Sequence, residues 1–275
     1  MHSIFHFFKD IVEKKKYFLE VKKLHEFPFD ETMLSCKNVE IFPDMTIRLN
    51  PIGSIFTGGE LIELKDSNSY TVSSFNSTVP TGSKEINKIV TGEKGSIKKQ
   101  MEEAGNNIFS LPIREVFYLV RGKKKGNIKV CLIHGNFFET LKVDELIQQS
   151  FGLVLEERLK ESGVEIPDEW KKKILAIFSQ QENFSRVRNI EKASVKLRFR
   201  IMTEVKAEGN ILNSRKYPEI KDNTLNFILP LNSGTSEDDV RKFKTVFGSY
   251  ALKEFEIFKI KHHLNGYFLV FQINI

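Results

Sequence analysis

Residues 39–65 read VEIFPDMTIRLNPIGSIFTGGELIELK, and this stretch decides the fold. VEIFPDMTIRLN has the apolar alternation of a strand or hairpin, PIGSIFTGG is a turn region rich in Gly and Pro, and ELIELK is a short strand. Downstream, residues 69–83 are polar with Val72, Phe75 and Val79 interspersed. Residues 83–103 are helix-compatible in pieces, broken by Gly92 and Gly95, with Ile97, Met101 and Ala104 on one apolar face. IREVFYLVRG (113–122) and NIKVCLIHG (127–135) are strong strands joined through KKKG. A strand, a helix and a strand in that order suit a parallel crossover.

Upstream, Ile4, Phe7, Phe8, Ile11, Phe18 and Leu19 recur at helical spacing in MHSIFHFFKDIVEKKKYFLEVKKLHEF. Lys14, Lys15, Lys16, Lys22 and Lys23 cluster between and after them, which reads as a core helix with a solvated basic face. His6, Lys9 and Asp10 interrupt the apolar start before a signal-peptide core could form. Beyond residue 142, VDELIQQSFGLVLEERLKESG and PDEWKKKILAIFSQQ are helices, with Gly163 placed as a C-cap and Pro167 at a first turn. VKLRFRIM (195–202) alternates, and SEDDVRKFKTVFGSYALKEF begins as a helix with Ser236 as N-cap and three acids in its first turn. FEIFKIKHHLNGYFLVFQINI is a hairpin signal, Asn265-Gly266 supplying positive φ angles. The expected class is therefore α/β, a mixed central β-sheet flanked by helices, with a C-terminal α+β part. A soft seam near 140–145 divides 1–142 from 143–275, unless the two run on as one domain.

The 275 residues suffice for one large domain or two modest ones. Hydrophobic residues make up 40% and charged residues 28%, which excludes a disordered or collagen-like chain. No apolar run has the ~18 residues of a membrane helix. Two cysteines, Cys36 and Cys131, build no disulfide framework and fit a reducing, cytoplasmic setting. The net charge of +6 permits an anionic partner without requiring one, and the 24 Phe foretell an aromatic core. No Walker-type loop, dinucleotide fingerprint or Gly-x-Ser-x-Gly elbow is present, so no nucleotide cofactor is expected. The histidines, including His134, His262 and His263, lack zinc-site spacing.

Glu63 and Lys65 are two apart on a strand and share a face. A hairpin would bring Asp44 beside Glu63. Two carboxylates meeting at a strand end repel unless neutralised, and they suit a hard divalent cation. An ammonium next to them can orient a water or stabilise charge building on a phosphate. Glu-x-Lys also occurs at Glu13, Glu20, Glu204 and Glu219. Only Glu63 combines an apolar strand, a preceding glycine pair (Gly58, Gly59) and an Asp on a neighbouring strand. Pro167-Asp168 with Glu204-Val205-Lys206 is an internal competitor, although Pro167-Asp168-Glu169 has the look of a helix start.

On Pro43, Asp44, Glu63 and Lys65, with their flanking strands, the chain resembles the PD-(D/E)XK nuclease superfamily, to which most type II restriction endonucleases belong. The resemblance covers roughly residues 39–121. It implies a restriction-endonuclease-like core in the first half and a DNA-recognition and dimerisation region in the second. It further implies magnesium held by Asp44, Glu63 and the Leu64 backbone carbonyl, with Lys65 as the catalytic lysine. The implied activity is sequence-specific cleavage of double-stranded DNA by a homodimer, leaving 5′-phosphates. A repair nuclease or resolvase on the same core and a non-catalytic nucleic-acid-binding module are the alternatives.

Two further groups are candidate DNA contacts. Ser73, Ser74 and Asn76, with Lys84 beyond them, lie in the polar segment that leaves Lys65, where such side chains either meet phosphates and bases or simply fill a loop. Lys196, Arg198 and Arg200 line one face of VKLRFRIM, preceded by Arg186 and Arg188; arginine suits phosphate and guanine edges. Lys123, Lys124 and Lys125 sit in a hairpin loop and read as solvated.

Overall fold

The computed structural model describes residues 2–32, 34–36, 42–48, 58–72, 75–76, 80–85, 96–103, 112–139, 143–178, 191–192, 195–196, 202–231 and 235–275. Nine strands make its mixed sheet: β1 (Leu34–Cys36), β2 (Met45–Ile47), β3 (Leu61–Ser67), β4 (Ser83–Glu85), β5 (Ile113–Lys124), β6 (Asn127–His134), β7 (Thr224–Pro230), β8 (Glu256–His262) and β9 (Gly266–Asn274). Eight run side by side in the order β1-β2-β3-β5-β6-β7-β9-β8, and β4 pairs with the start of β5. β3 lies parallel to β5 and β6 parallel to β7, and the other pairings are antiparallel. The expected crossover from ELIELK to IREVFYLV is thus present.

The strand alternation sends two sets of side chains to opposite faces. Ile62, Leu64, Phe117, Leu119, Phe227 and Phe271 belong to one core layer. It is covered by α1 (His2–Glu13), which delivers Ile4, Phe5, Phe8 and Ile11, by α2 (Tyr17–Glu20), which delivers Phe18, and by Phe243 further along the chain. Rings interlock there: Phe8 stacks on Phe227 at 4.8 Å between centroids, and Phe243 on Phe271 at 4.1 Å. Leu61, Val116, Tyr118, Val120, Cys131 and Phe268 face the second layer, with Ile97 and Met101 of α3 (Ser96–Glu103). Burial pushes the Cys131 thiol up to about 12, so it is an inert core residue.

The chain forms two compact units. Residues 1–139 and 203–275 make the first, and 140–202 the second. The seam falls where the sequence turns helical, but the strands of the last third are hydrogen-bonded into the main sheet through β7 and β9. The second unit holds α4 (Val143–Ser162) and α5 (Asp168–Phe178), with Gly163 at φ 67° between them. It also holds the antiparallel pair Glu191–Lys192 and Val195–Lys196. In the first unit α6 (Thr235–Ala251) turns at Gly248, whose φ is 80°.

Two expectations change in detail, and a third falls mostly on residues outside the description. Ser83–Glu85, read as the start of a helical region, is a strand against β5. VKLRFRIM is described only at Val195, Lys196 and Met202, and the rest lies outside the described residues. In the terminal hairpin only Gly266 takes a positive φ, of 80°; Asn265 instead donates its side-chain amide to the Asn136, Phe137 and Glu139 carbonyls.

Candidate active site

The site begins with a glycine. Gly59 has φ 84°. Its N–H donates to the Ile47 carbonyl at 2.7 Å, and the Ile47 N–H donates to the Glu60 carbonyl at 3.0 Å. Two residues of one strand thus oppose one of the other, with glycine first, which is a G1 bulge. The bulge fixes the register that follows: Thr46 against Leu61 and Met45 against Ile62. Continued by one residue, this register sets Asp44 opposite Glu63. Ladder positions alternate, so this is a non-hydrogen-bonded pair, the kind whose side chains approach most closely.

Continued by one more, the register sets Pro43 opposite Leu64. Proline has no N–H to give the Leu64 carbonyl. The Leu64 N–H goes instead to Asp44 Oδ2 at 2.7 Å. Strand geometry turns the carbonyl of Leu64 to the same edge as its N–H, beside the two carboxylates. The Pro-Asp dipeptide therefore does two things at once: it ends the β2 ladder, and its acid takes over the amide that the ladder leaves behind.

Asp44 is 6% exposed and Glu63 8%. Both face the Tyr118 layer, and Glu63 is paired with Tyr118 on β5. Lys65 is on the same face, its ammonium 3.0 Å from Glu63 Oε1 and 5.4 Å from the centroid of Phe75. The structure thus brings Asp44, Glu63, Leu64 and Lys65 to one place. Lys84, half-buried, has its ammonium 4.3 Å from the Phe42 ring centroid. Burial lowers its pKa to about 8, against the pull of the Glu63 charge, which raises it. It is a second cation in the field of the carboxylates.

A residue that sequence reasoning passed over also stands here. His25 Nε2 lies 3.7 Å from Asp44 Oδ1, and its side chain is 61% exposed. It sits in a short turn, Leu24–Glu26, held by the Leu24 N–H donating to Asp66 Oδ2 at 2.9 Å. Asp66 in turn is gripped by Arg121, from Nε to Oδ1 at 2.9 Å and from a terminal guanidinium nitrogen to Oδ2 at 2.6 Å. Burial raises the Asp66 pKa, but the Arg121 bonds and charge outweigh it and the net shift is downward. Nothing in the local sequence marks His25, because its position follows from that tertiary clamp.

A metal could be held by two carboxylates and one carbonyl, hard oxygen donors suited to magnesium. Among the described residues, no group of three or more His, Cys, Asp or Glu side chains is gathered to hold an ion. Any ion at Asp44 and Glu63 would therefore complete its shell with the Leu64 carbonyl, water or phosphate. Of the expected DNA contacts, Ser73, Ser74, Arg198 and Arg200 lie outside the described residues. Asn76 and Lys196 lie in two-residue strands, and the side chains of these two residues are outside the description as well. The competing Asp168 begins α5, as its sequence suggested.

No family model, curated protein or solved structure matches the chain. No helix among the described residues is long and apolar enough to cross a membrane.

Proposed function

We propose that this protein is a magnesium-dependent endonuclease of double-stranded DNA, with a restriction-endonuclease-like core and the habit of a type II restriction enzyme. The observation that carries the reading is the convergence of Asp44, Glu63 and Lys65 on one face, in a register that the Gly59 bulge sets. Two buried acids facing each other are costly without a counter-charge, and the two lysines beside them supply part of it. The crossover from β3 through α3 to β5 supports the same reading.

Asp44, Glu63 and the Leu64 carbonyl would hold the ion, which when bound would polarise the scissile phosphate and acidify a water. Lys65, anchored by Glu63, would orient the attacking water and oppose the charge that grows on phosphorus. Lys84 adds a second positive charge from the sheet side and holds down the repulsion between the acids. Two copies acting on a symmetric site would cut both strands, each from one core. The product would carry a 5′-phosphate.

The test is incubation of the protein with mixed plasmid and phage DNA, with magnesium and with chelator. Discrete magnesium-dependent fragments are expected, and Lys65→Ala should abolish them while binding in calcium persists. A smear would point to a nonspecific or structure-selective nuclease on the same core. Absence of cleavage on diverse DNA would leave a binding module, and cutting retained by Lys65→Ala would move the site elsewhere.

A further inference from the structure

β3 does not end at the candidate site. Past Lys65 and Asp66 it reaches Ser67, which pairs with Gly122 of β5. There the chain turns over β5 at close range: a Cβ on Gly122 would lie 2.9 Å from the Ser69 carbonyl oxygen and 3.2 Å from a Tyr70 ring carbon. The missing side chain lets segment 67–71 lie against the strand, and it presents a run of hydroxyls. Ser67 Oγ is 3.2 Å from Ser69 Oγ, which is 2.5 Å from Thr71 Oγ1. Ser69 and Thr71 are exposed.

Beyond them stand the lysines of the β5–β6 hairpin. Lys124 pairs with Asn127, so the loop is Lys125-Gly126, with φ 51° and 83°. Both values are positive, the geometry of a type I′ turn, whose first position favours Asn or Gly. A lysine there is a poor conformational choice, and an exposed charge at the tip is what it provides. Lys124 lies 5.6 Å from the centroid of the Tyr70 ring, beside the hydroxyl run. The hairpin is stitched to the end of α2: Lys123 Nζ donates to the Val21 and Lys22 carbonyls at 3.1 and 3.3 Å, which brings the exposed Lys22 alongside. Neighbouring carboxylates are engaged, Asp66 by Arg121, Glu26 by the Lys23 N–H and Asp222 by the Asn127 amide and Lys129.

We propose that Ser67, Ser69 and Thr71, with Lys124, Lys125 and Lys22, form a track for the phosphates of one DNA strand, leading away from the candidate catalytic pair. The proposal rests on the nuclease reading for its direction and its partner. Neutral donors come first and cations after. Lys124 is four residues along β5 from Val120, the partner of Lys65. At a strand rise of ~3.3 Å per residue that is ~13 Å, the length of a few nucleotides at ~3.4 Å of axial rise each. Contacts of this kind position the duplex without reading its sequence.

The test uses the full chain, calcium in place of magnesium, and a duplex of random sequence titrated at several salt concentrations. Each phosphate contact made by a cation contributes ~0.9 to the slope of log affinity against log salt. Lys124→Gln/Lys125→Gln should flatten that slope by ~1.8, so the affinity lost between 50 and 200 mM salt shrinks ~12-fold. Ser67→Ala/Ser69→Ala/Thr71→Ala should weaken binding several-fold at every salt with the slope unchanged. An unchanged melting temperature in either variant separates lost contacts from lost folding. Replacing Lys171, Lys172 and Lys173 by Gln is the control. A slope that stays put in the hairpin variant, or moves as far in the control, overturns the track. Magnesium-dependent cleavage by the unmodified protein, scored separately, decides the nuclease reading: cleavage with an unmoved slope removes only the track, and a flattened slope without cleavage removes only the enzyme.

Discussion

Asp44→Asn changes one charge and almost no volume, and its effect follows from the register. In a non-hydrogen-bonded antiparallel pair the Cβ atoms are ~5 Å apart. Two carboxylates at that distance repel by ~3 kcal/mol at an effective dielectric constant of ~20. Lys65, 3.0 Å from Glu63, and Lys84 offset part of it, leaving ~1–2 kcal/mol. The asparagine retains an oxygen to accept the Leu64 N–H. In chelator the variant should therefore melt higher than the unmodified protein, by ~2–8 °C for a domain of this size. On the proposed reading, magnesium should reverse the comparison. At ten times its dissociation constant an ion stabilises the protein that binds it by ~1.4 kcal/mol, or ~3–5 °C. Asp44→Asn should lose that gain, along with cleavage. Differential scanning fluorimetry with EDTA and then with magnesium measures both arms. A variant that melts lower in EDTA, or that keeps the full magnesium shift, would refute the opposed pair of acids.

Other outcomes can be checked the same way. Gly59→Ala puts a side chain at φ 84°, with Arg114 Nε 3.2 Å from the new Cβ; it should cost ~1–2 kcal/mol in denaturant unfolding and reduce cutting further than stability explains, and full activity would disconnect the bulge from the site. Arg121→Met strips the guanidinium from Asp66, the side-chain donor from the Phe18 carbonyl and one of the two donors from the Val21 carbonyl, and should cost about 3 kcal/mol; a loss under ~1 kcal/mol would mean the clamp is ornamental. Asp239 is 2% exposed, and burial raises its carboxyl to about 6 from an ordinary 3.8. A folded pKa above the unfolded one means that the native state binds the extra proton, so stability falls as pH rises between these values and is flat above. Asp239→Asn should therefore stabilise by ~1–3 kcal/mol at pH 7, with the gain fading below about pH 4; a gain that persists at pH 3 contradicts it.

The acid pair was legible because its information is local. Glu63 and Lys65 share a face by the two-residue period of any strand, and Gly58-Gly59 marks a backbone irregularity before it. The helices of 143–178 were legible for the same reason, through periodicity and end signals. What distance along the chain hides is different in kind. His25 reaches Asp44 only because Arg121 and Asp66, drawn together by the parallel pairing of β3 and β5, hold its turn in place. Lys84 reads from the sequence only as a candidate DNA contact at the end of a polar segment; the pairing of β4 with β5 and its approach to the Phe42 ring bring it into the field of Glu63 instead.

Side-chain alternation and turn chemistry act within a few residues, so the long helices, the faces of the strands and the shared face of Glu63 and Lys65 can be read locally, whereas the short strand Ser83–Glu85 cannot. Which strands become neighbours emerges on folding, which sets β7, β8 and β9 in the same sheet as β3 and brings Lys84 into the field of Glu63. Strand pairing joins residues far apart in the chain, through backbone groups that every residue carries alike, and no local pattern encodes that choice.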